Sequence, residues 1–150
     1  MTLHLGILQT DSVLEDLQPR FGDYPTMFEG LFHAEAPSMT FTTYNVQHEL
    51  PQIHDCAAYL ITGCKLSVYD DFLWIRELAD FVARAIEAKK KILGICFGHQ
   101  LIAHFFGGEV GPAAAGWGVG VQSSDLIRTP SWMSDVGQPP PQLHLVSSHK

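Results

Sequence analysis

No apolar run in this chain approaches the roughly 20 residues that a membrane-spanning helix needs. Basic residues are also few: 9 Lys and Arg stand against 16 Asp and Glu, for a formal net charge of −7. The one basic cluster, Lys89-Lys90-Lys91, reads as the solvated end of a helix, favourable at its negative pole. Nucleic acid is therefore not an expected partner. Cysteine is scarce, with only Cys56, Cys64 and Cys96. An odd number without C-x-x-C spacing supports neither a disulfide framework nor a zinc site. The start, Met1-Thr2-Leu3-His4-Leu5, lacks the basic region and cleavage site of a signal peptide. A reducing, cytoplasmic location is the expectation, with no membrane contact. There are no internal repeats, and only Pro139-Pro140-Pro141 is low in complexity. What remains is 150 residues, 46% hydrophobic and 17% charged, enough for one domain with a real core.

The hydrophobic pattern alternates between two periods. Leu3 to Leu8, Met39 to Val46, Cys56 to Thr62 and Ile92 to Ile95 read as strands, the last as a buried parallel one. Thr10, Asp11 and Ser12 are candidate helix caps, and Val13 to Phe21 reads as irregular. Tyr24 to His33 carries Tyr24, Met27, Phe28, Leu31 and Phe32 at helical spacing, with Pro25 in the first turn. Core packing is the expected use of that aromatic face. Phe72 to Ala88 is the clearest helix, with Phe72, Ile75, Leu78, Ala79, Val82 and Ile86 on one face and Asp70 or Asp71 as its cap. Strands alternating with helices predict an α/β fold, an open and mostly parallel sheet with helices on both faces. Ligands of such sheets bind beyond the carboxyl ends of the strands, where Gly63 and Cys96 both fall. Beyond Phe106 the pattern weakens. Gly116 to Val121 reads as an irregular or edge strand that Ser123 to Ile127 extends. Thr129 to Pro141 reads as loop, and Leu143 to Ser147 as a last strand.

Chemistry concentrates in Gly94-Ile95-Cys96-Phe97-Gly98-His99-Gln100. Cys96 stands between a strand and a helical pattern, with glycine two residues before and two after. This is the nucleophile-elbow pattern, with cysteine in place of serine. Glycine suits both flanks, because a side chain there would meet the neighbouring strand or helix. The start of the helix favours thiolate over thiol. A cysteine in an apolar strand is ordinarily a small buried hydrophobe. The paired glycines and the strand-turn-helix context favour a nucleophile instead.

With the following His99-Gln100, this segment resembles the nucleophile segment of class I glutamine amidotransferases, the triad type. Ile61-Thr62-Gly63-Cys64-Lys65 with Ser67-Val68-Tyr69-Asp70-Asp71 is similar to the family's oxyanion loop. Gly116-Trp117-Gly118-Val119-Gly120 and Ser147-Ser148-His149 resemble later segments bordering the substrate pocket. The overall pattern is most like the stand-alone group similar to the glutaminase domain of GMP synthase. The resemblance implies a flavodoxin-like fold and the nucleophile Cys96. It implies oxyanion donors from the N–H groups of Gly63 and Phe97. It also implies substrate contacts from Gly63, Gln100, Ser148 and His149. Cys64 is read as a bystander and His99 as structural. No metal or organic cofactor is implied. The implied substrate is glutamine or a γ-glutamyl amide, and a synthetase subunit is a candidate partner.

The chain departs from the pattern in one respect. The family's base is a histidine in an H-x-E, placed after the segment that Ser147-Ser148-His149 resembles. The one H-x-E here, His33-Ala34-Glu35, is too early to take that role, and His149 precedes the expected base. The expectation is a single amidotransferase-like domain over 1–150 whose C-terminal part is missing, weak or inactive in this form. Three readings follow. One is a glutamine amidotransferase-like amidohydrolase. The second is a γ-glutamyl hydrolase or peptidase of the same fold. The third is a silent domain that binds a partner or ligand.

Overall fold

A computed structural model describes residues 2–114, 116–134 and 140–149, without the side chains of Trp132, Ser134 and His149. Two compact units are distinguished, Met1–Val110 and Gly111–Lys150. The first contains β1 (His4–Gln9), α1 (Gln18–Phe21), α2 (Tyr24–Glu35), β2 (Thr40–Asn45), β3 (Ala58–Ile61), α3 (Leu73–Glu87), β4 (Lys91–Gly94) and α4 (Phe97–Phe105). The four strands form a parallel sheet in the order β2-β1-β3-β4.

The period-two alternation of the central strands divides the core in two. Leu5, Ile7, Ala58 and Leu60 face α2, from which Phe28 and Phe32 pack against them. Leu8, Tyr59 and Ile61 face the other way, towards α3 and α4. Helices thus cover both faces of a mostly parallel sheet, as the α/β pattern predicts. Gly6 leaves room for the Tyr59 ring, since a Cβ there would lie 2.6 Å from Tyr59 Cδ1. The Tyr59 ring meets Phe81 edge-on at 5.0 Å, and its hydroxyl donates to the Gln52 carbonyl at 2.8 Å. Each such large apolar side chain contributes about 1.5–3 kcal/mol by its burial.

Several helical details differ from the sequence reading. The buried stripe of α3 is Ile75, Leu78, Ala79, Phe81, Val82 and Ala85. Phe72 does not share it, because it is the extended residue before the helix, and Ile86 stays half-exposed in the last turn. Neither Asp70 nor Asp71 caps α3. Asp70 instead accepts from the Ser67 N–H at 2.9 Å, and Asp71 pairs with Arg76. No residue of α2 is fully buried; Met27 and Leu31 are exposed because only one edge of the helix reaches the sheet. The α2 cap is Asp23 rather than any of residues 10–12. The segment expected to be irregular contains the single-turn α1. β4 is parallel but not buried. It pairs only with β3 among the described residues, and Leu93 and Ile95 lie on the same face as Leu60 but stay exposed, outside the cluster that Phe28 and Phe32 of α2 cover.

The second unit contains β5 (Gly118–Asp125), the short α5 (Ser131–Ser134) and β6 (Gln142–His149). β5 and β6 pair antiparallel over their full lengths, with Gly118 opposite His149 and Val119 opposite Ser148. Val119, Val121, Leu145 and Val146 are exposed on this ribbon. Of the expected loop 129–141, residues 135–139 lie outside the described residues.

Candidate active site

β4 ends at Gly94 and α4 begins at Phe97, so Cys96 occupies the turn between them. Its backbone has φ 53° and ψ −106°. Among the described residues only Lys89 and Cys96 have positive φ without being glycine. Such a conformation costs about 1–3 kcal/mol and persists only where the surroundings enforce it. Here the two flanking glycines enforce it. A Cβ on Gly94 would lie 2.5 Å from the Gly98 carbonyl carbon and oxygen. One on Gly98 would lie 2.7 Å from the Ile61 Cβ and carbonyl oxygen. The turn is therefore pressed against β3. It is fixed there by the Ile95 N–H donating to the Ile61 carbonyl at 3.0 Å and the Gly98 N–H donating to the Ile95 carbonyl at 2.9 Å. The result is an exposed thiol at the carboxyl edge of the sheet. Phe97 is buried, its ring beside Trp74 at 5.6 Å, and its N–H belongs to the first turn of α4, whose amides have no partner within the helix.

The loop after β3 lies beside this turn. A Cβ on Gly63 would stand 3.5 Å from the Cys96 Cβ and 3.8 Å from its sulfur. Thr10, expected as a helix cap, is instead buried at the end of β1, facing the equally buried Thr62. The Thr10 N–H donates to Thr62 Oγ1 at 3.0 Å, and Thr10 Oγ1 donates to the Gly63 carbonyl at 2.8 Å. This threonine pair was not legible as a site feature. Its only signal is that both residues directly follow the apolar stretches of adjacent strands.

Cys64 sits differently. Its sulfur accepts from the Leu66 N–H at 3.4 Å and donates to Asp11 Oδ2 at 3.8 Å. Burial pushes its thiol up to about 11, and the negative charge of Asp11 adds to the shift. Asp11 also accepts from the Lys65 N–H at 3.1 Å and pairs with Lys65 Nζ at 3.4 Å. Burial raises the Tyr24 phenol above its usual range, with the charges of Asp11 and Cys96 adding to it. Asp23 anchors the same loop, its carboxylate accepting from the Val13, Tyr24 and Gln9 N–H groups, each at 2.8 Å. Partial burial by itself would raise that carboxyl, but the hydrogen bonds outweigh it and hold the group below its usual range.

Gln100 lies in the first turn of α4, half-buried, with its N–H donating to the Cys96 carbonyl at 3.0 Å. Gly63, Cys96, Phe97 and Gln100 are thus brought together. Ser148 and His149 belong to β6 of the second unit, and the His149 side chain lies outside the described residues. His33 is far from this edge. Its Nε2 bonds the Met39 carbonyl at 3.0 Å, immediately before β2 begins. That is the amino edge of the parallel sheet, about 15–20 Å away along the strands. Among the described residues no side chain hydrogen-bonds the Cys96 thiol.

Comparison with known proteins places this geometry in a family. The model for "Glutamine amidotransferase class-I" matches residues 32–139. A glutamine amidotransferase-like protein of Schizosaccharomyces pombe is 30% identical over 142 residues, covering 85% of this chain and 56% of the relative. Gamma-glutamyl peptidase 3 of Arabidopsis thaliana is 28% identical over 143 residues, 91% of this chain and 57% of the relative. The glutamine-hydrolyzing GMP synthase subunit of Methanocaldococcus jannaschii is 68% identical over 41 residues, 27% of this chain and 22% of the relative. The crystal structure of a glutamine amidotransferase from Methylobacillus flagellatus shares the fold. Its TM-score is 0.75 at 23% identity, covering 99% of this chain and 56% of that one. The chain spans just over half the length of the first two relatives. The sheet with helices on both faces, the strand-turn-helix at Cys96 and the match over 32–139 lead to one conclusion: the chain belongs to the class I glutamine amidotransferase family.

Proposed function

We propose that this protein is a cysteine amidohydrolase that releases ammonia from the side-chain amide of glutamine. The observation that carries the reading is the exposed Cys96 at φ 53°, held between two obligatory glycines beside the Gly63 loop. The proposed reaction has two halves. The Cys96 thiolate attacks the amide carbon, forming a C–S bond and moving the carbonyl electron pair onto oxygen. Backbone N–H groups of Gly63 and Phe97 stabilise that oxyanion. The C–N bond then breaks, ammonia leaves carrying the proton that the thiol gave up, and water hydrolyses the glutamyl thioester to glutamate and free thiol. Gln100, at the start of α4, contributes to holding the substrate. No residue of this chain is assigned as the base. His33 stands at the wrong edge of the sheet, and no partner for the thiol is found among the described residues. An ammonia acceptor in a synthetase subunit is the partner this reading implies. The naming of one relative as a GMP synthase subunit supports it.

One observation favours a second reading. A relative aligned over 91% of this chain is named a gamma-glutamyl peptidase. The same thioester chemistry on a γ-glutamyl amide, with water as acceptor, fits the same cysteine. Assays with free glutamine and with a γ-glutamyl dipeptide separate the two. Ammonia release from glutamine supports the first, and turnover of the dipeptide alone replaces it with the second. If Cys96 forms a thioester with neither, the domain is silent.

A further inference from the structure

Resting on the reading of Cys96 as an acylated nucleophile, we infer that Thr10 is a positioning residue. Its hydroxyl turns the Gly63–Cys64 peptide over, so that this peptide offers an N–H to the reacting oxygen in place of a carbonyl. The direction of successive peptides at the end of β3 points to this role. In a parallel strand the N–H and C=O of one residue point to one neighbour, and those of the next residue point to the other. β3 lies between β1 and β4. Ile61 obeys the rule towards β4, its carbonyl accepting from the Ile95 N–H at 3.0 Å. Thr62 obeys it towards β1, its N–H donating to the Leu8 carbonyl at 3.1 Å and its carbonyl facing Thr10 Oγ1 at 3.2 Å.

Gly63 should then turn both its groups towards β4, where Cys96 stands. Its carbonyl does the opposite and accepts from Thr10 Oγ1 at 2.8 Å. A trans peptide places its N–H antiparallel to its C=O. The Cys64 N–H is therefore turned away from β1, to the side on which the Gly63 N–H already lies. Two consecutive donors now face the side of the thiol, where a regular strand would present one donor and one carbonyl. A carbonyl dipole there would repel a developing oxyanion; an N–H attracts it.

The threonine pair has the valences to hold this arrangement. The Thr10 N–H donates to Thr62 Oγ1 at 3.0 Å, the two hydroxyl oxygens lie 3.0 Å apart, and the Gly63 carbonyl lies 2.8 Å from Thr10 Oγ1 and 3.3 Å from Thr62 Oγ1, so the Thr10 hydroxyl makes the shorter bond to it. With the Thr62 hydroxyl donating to Thr10 Oγ1 and the Thr10 hydroxyl to the Gly63 carbonyl, each hydroxyl proton is used once. Both threonines are fully buried, so water cannot replace the lost hydroxyl without a cavity to hold it.

The test uses the aldehyde counterpart of glutamine, glutamate γ-semialdehyde. The Cys96 thiol adds to its carbonyl, forming one C–S bond and placing the thiol proton on the former carbonyl oxygen, with no leaving group. Adduct formation needs the oxyanion donors but not the later proton transfer to ammonia. It is read as protection of Cys96 from iodoacetamide, which alkylates by direct displacement and needs no such donors. Thr10→Val is expected to weaken the adduct about a hundredfold, the scale of losing one oxyanion donor. Thr10→Ser, which keeps the hydroxyl, is expected to stay near the unsubstituted protein. Iodoacetamide rates on free Cys96 should be alike in all three, which a general loss of folding would not allow. Unchanged adduct affinity in Thr10→Val overturns the proposal. Absence of any adduct in the unsubstituted protein overturns the amidohydrolase reading instead. A crystal structure of Thr10→Val then decides the role of Thr10. A Gly63 carbonyl turned towards Cys96 supports it, and one still facing residue 10 refutes it.

Discussion

The turns after β3 and β4 are neighbours at one edge of the sheet, and each carries a cysteine. Cys64 is tucked against Asp11, with its thiol pushed up to about 11 by burial. Cys96 stands exposed on a backbone that only crowding can enforce. Residue type does not separate these two; their surroundings do. The β3 turn spends its hydrogen bonds on fixing peptides, and its sulfur is absorbed into the packing. The β4 turn uses its glycines for close approach, and its sulfur is left to solvent. On the proposed reading, a nucleophile and an oxyanion loop are complementary products of the same sheet edge.

The largest expected effect comes from removing the exposed sulfur. Cys96→Ala should abolish the acyl-thioester formed with glutamine or the dipeptide, and bring whatever turnover the protein shows down to the uncatalysed level. Residual turnover near that of the unsubstituted protein would move the chemistry to the other turn. Gly98→Ala should be next. Its new Cβ would lie 2.7 Å from backbone and side-chain atoms of Ile61. Overpacking of this kind costs about 1–3 kcal/mol. A thermal melt should show the loss, with slower labelling of Cys96 as the turn shifts. Full stability in Gly98→Ala would show that the turn is not pressed on β3 after all.

Alkylation against pH sharpens the contrast between the sulfurs. Cys64 should stay unmodified through neutral pH, because its thiol is raised from 9.0 to about 11. The sign for stability follows from the same shift. A raised folded value favours the protonated thiol, so its contribution is complete below 9.0 and is lost as pH rises towards 11. Melting curves between those limits check it, and a protein growing more stable over that range would contradict it. The smallest effect belongs to Asp23, which caps α2 and ties down the loop carrying Asp11. Asp23→Ala should cost about 1 kcal/mol, the usual scale of a lost N-cap. Its carboxyl is held low, so the contribution is present above 3.8 and fades as pH falls below it. A denaturant midpoint unchanged at neutral pH would remove the cap from the account.

The elements near the site were legible because their periods are unambiguous. Leu5 and Ile7 alternate with Leu8, and Ile75, Leu78 and Val82 repeat at helical spacing. The elbow was legible because crowding demands glycine at 94 and 98, and two such glycines around a cysteine leave a pattern. The Thr10–Thr62 pair left only its place after two apolar stretches. The contact spans 52 positions, and each threonine alone reads as a cap or a strand end. The exposure of Leu93 and Ile95 was also hidden, since an apolar run looks the same on an edge strand as on a central one. The role of Phe72 was misread because helical spacing continues to a residue that is already extended.

The central claim is that Cys96 is the nucleophile, and one measurement tests it most directly. The protein is treated with a diazo-ketone analogue of glutamine, digested, and its three cysteines are mapped by mass. The account predicts that Cys96 carries the label, that excess glutamine protects it, and that Cys56 and Cys64 stay free. Label on Cys56 or Cys64, with Cys96 untouched, would contradict it.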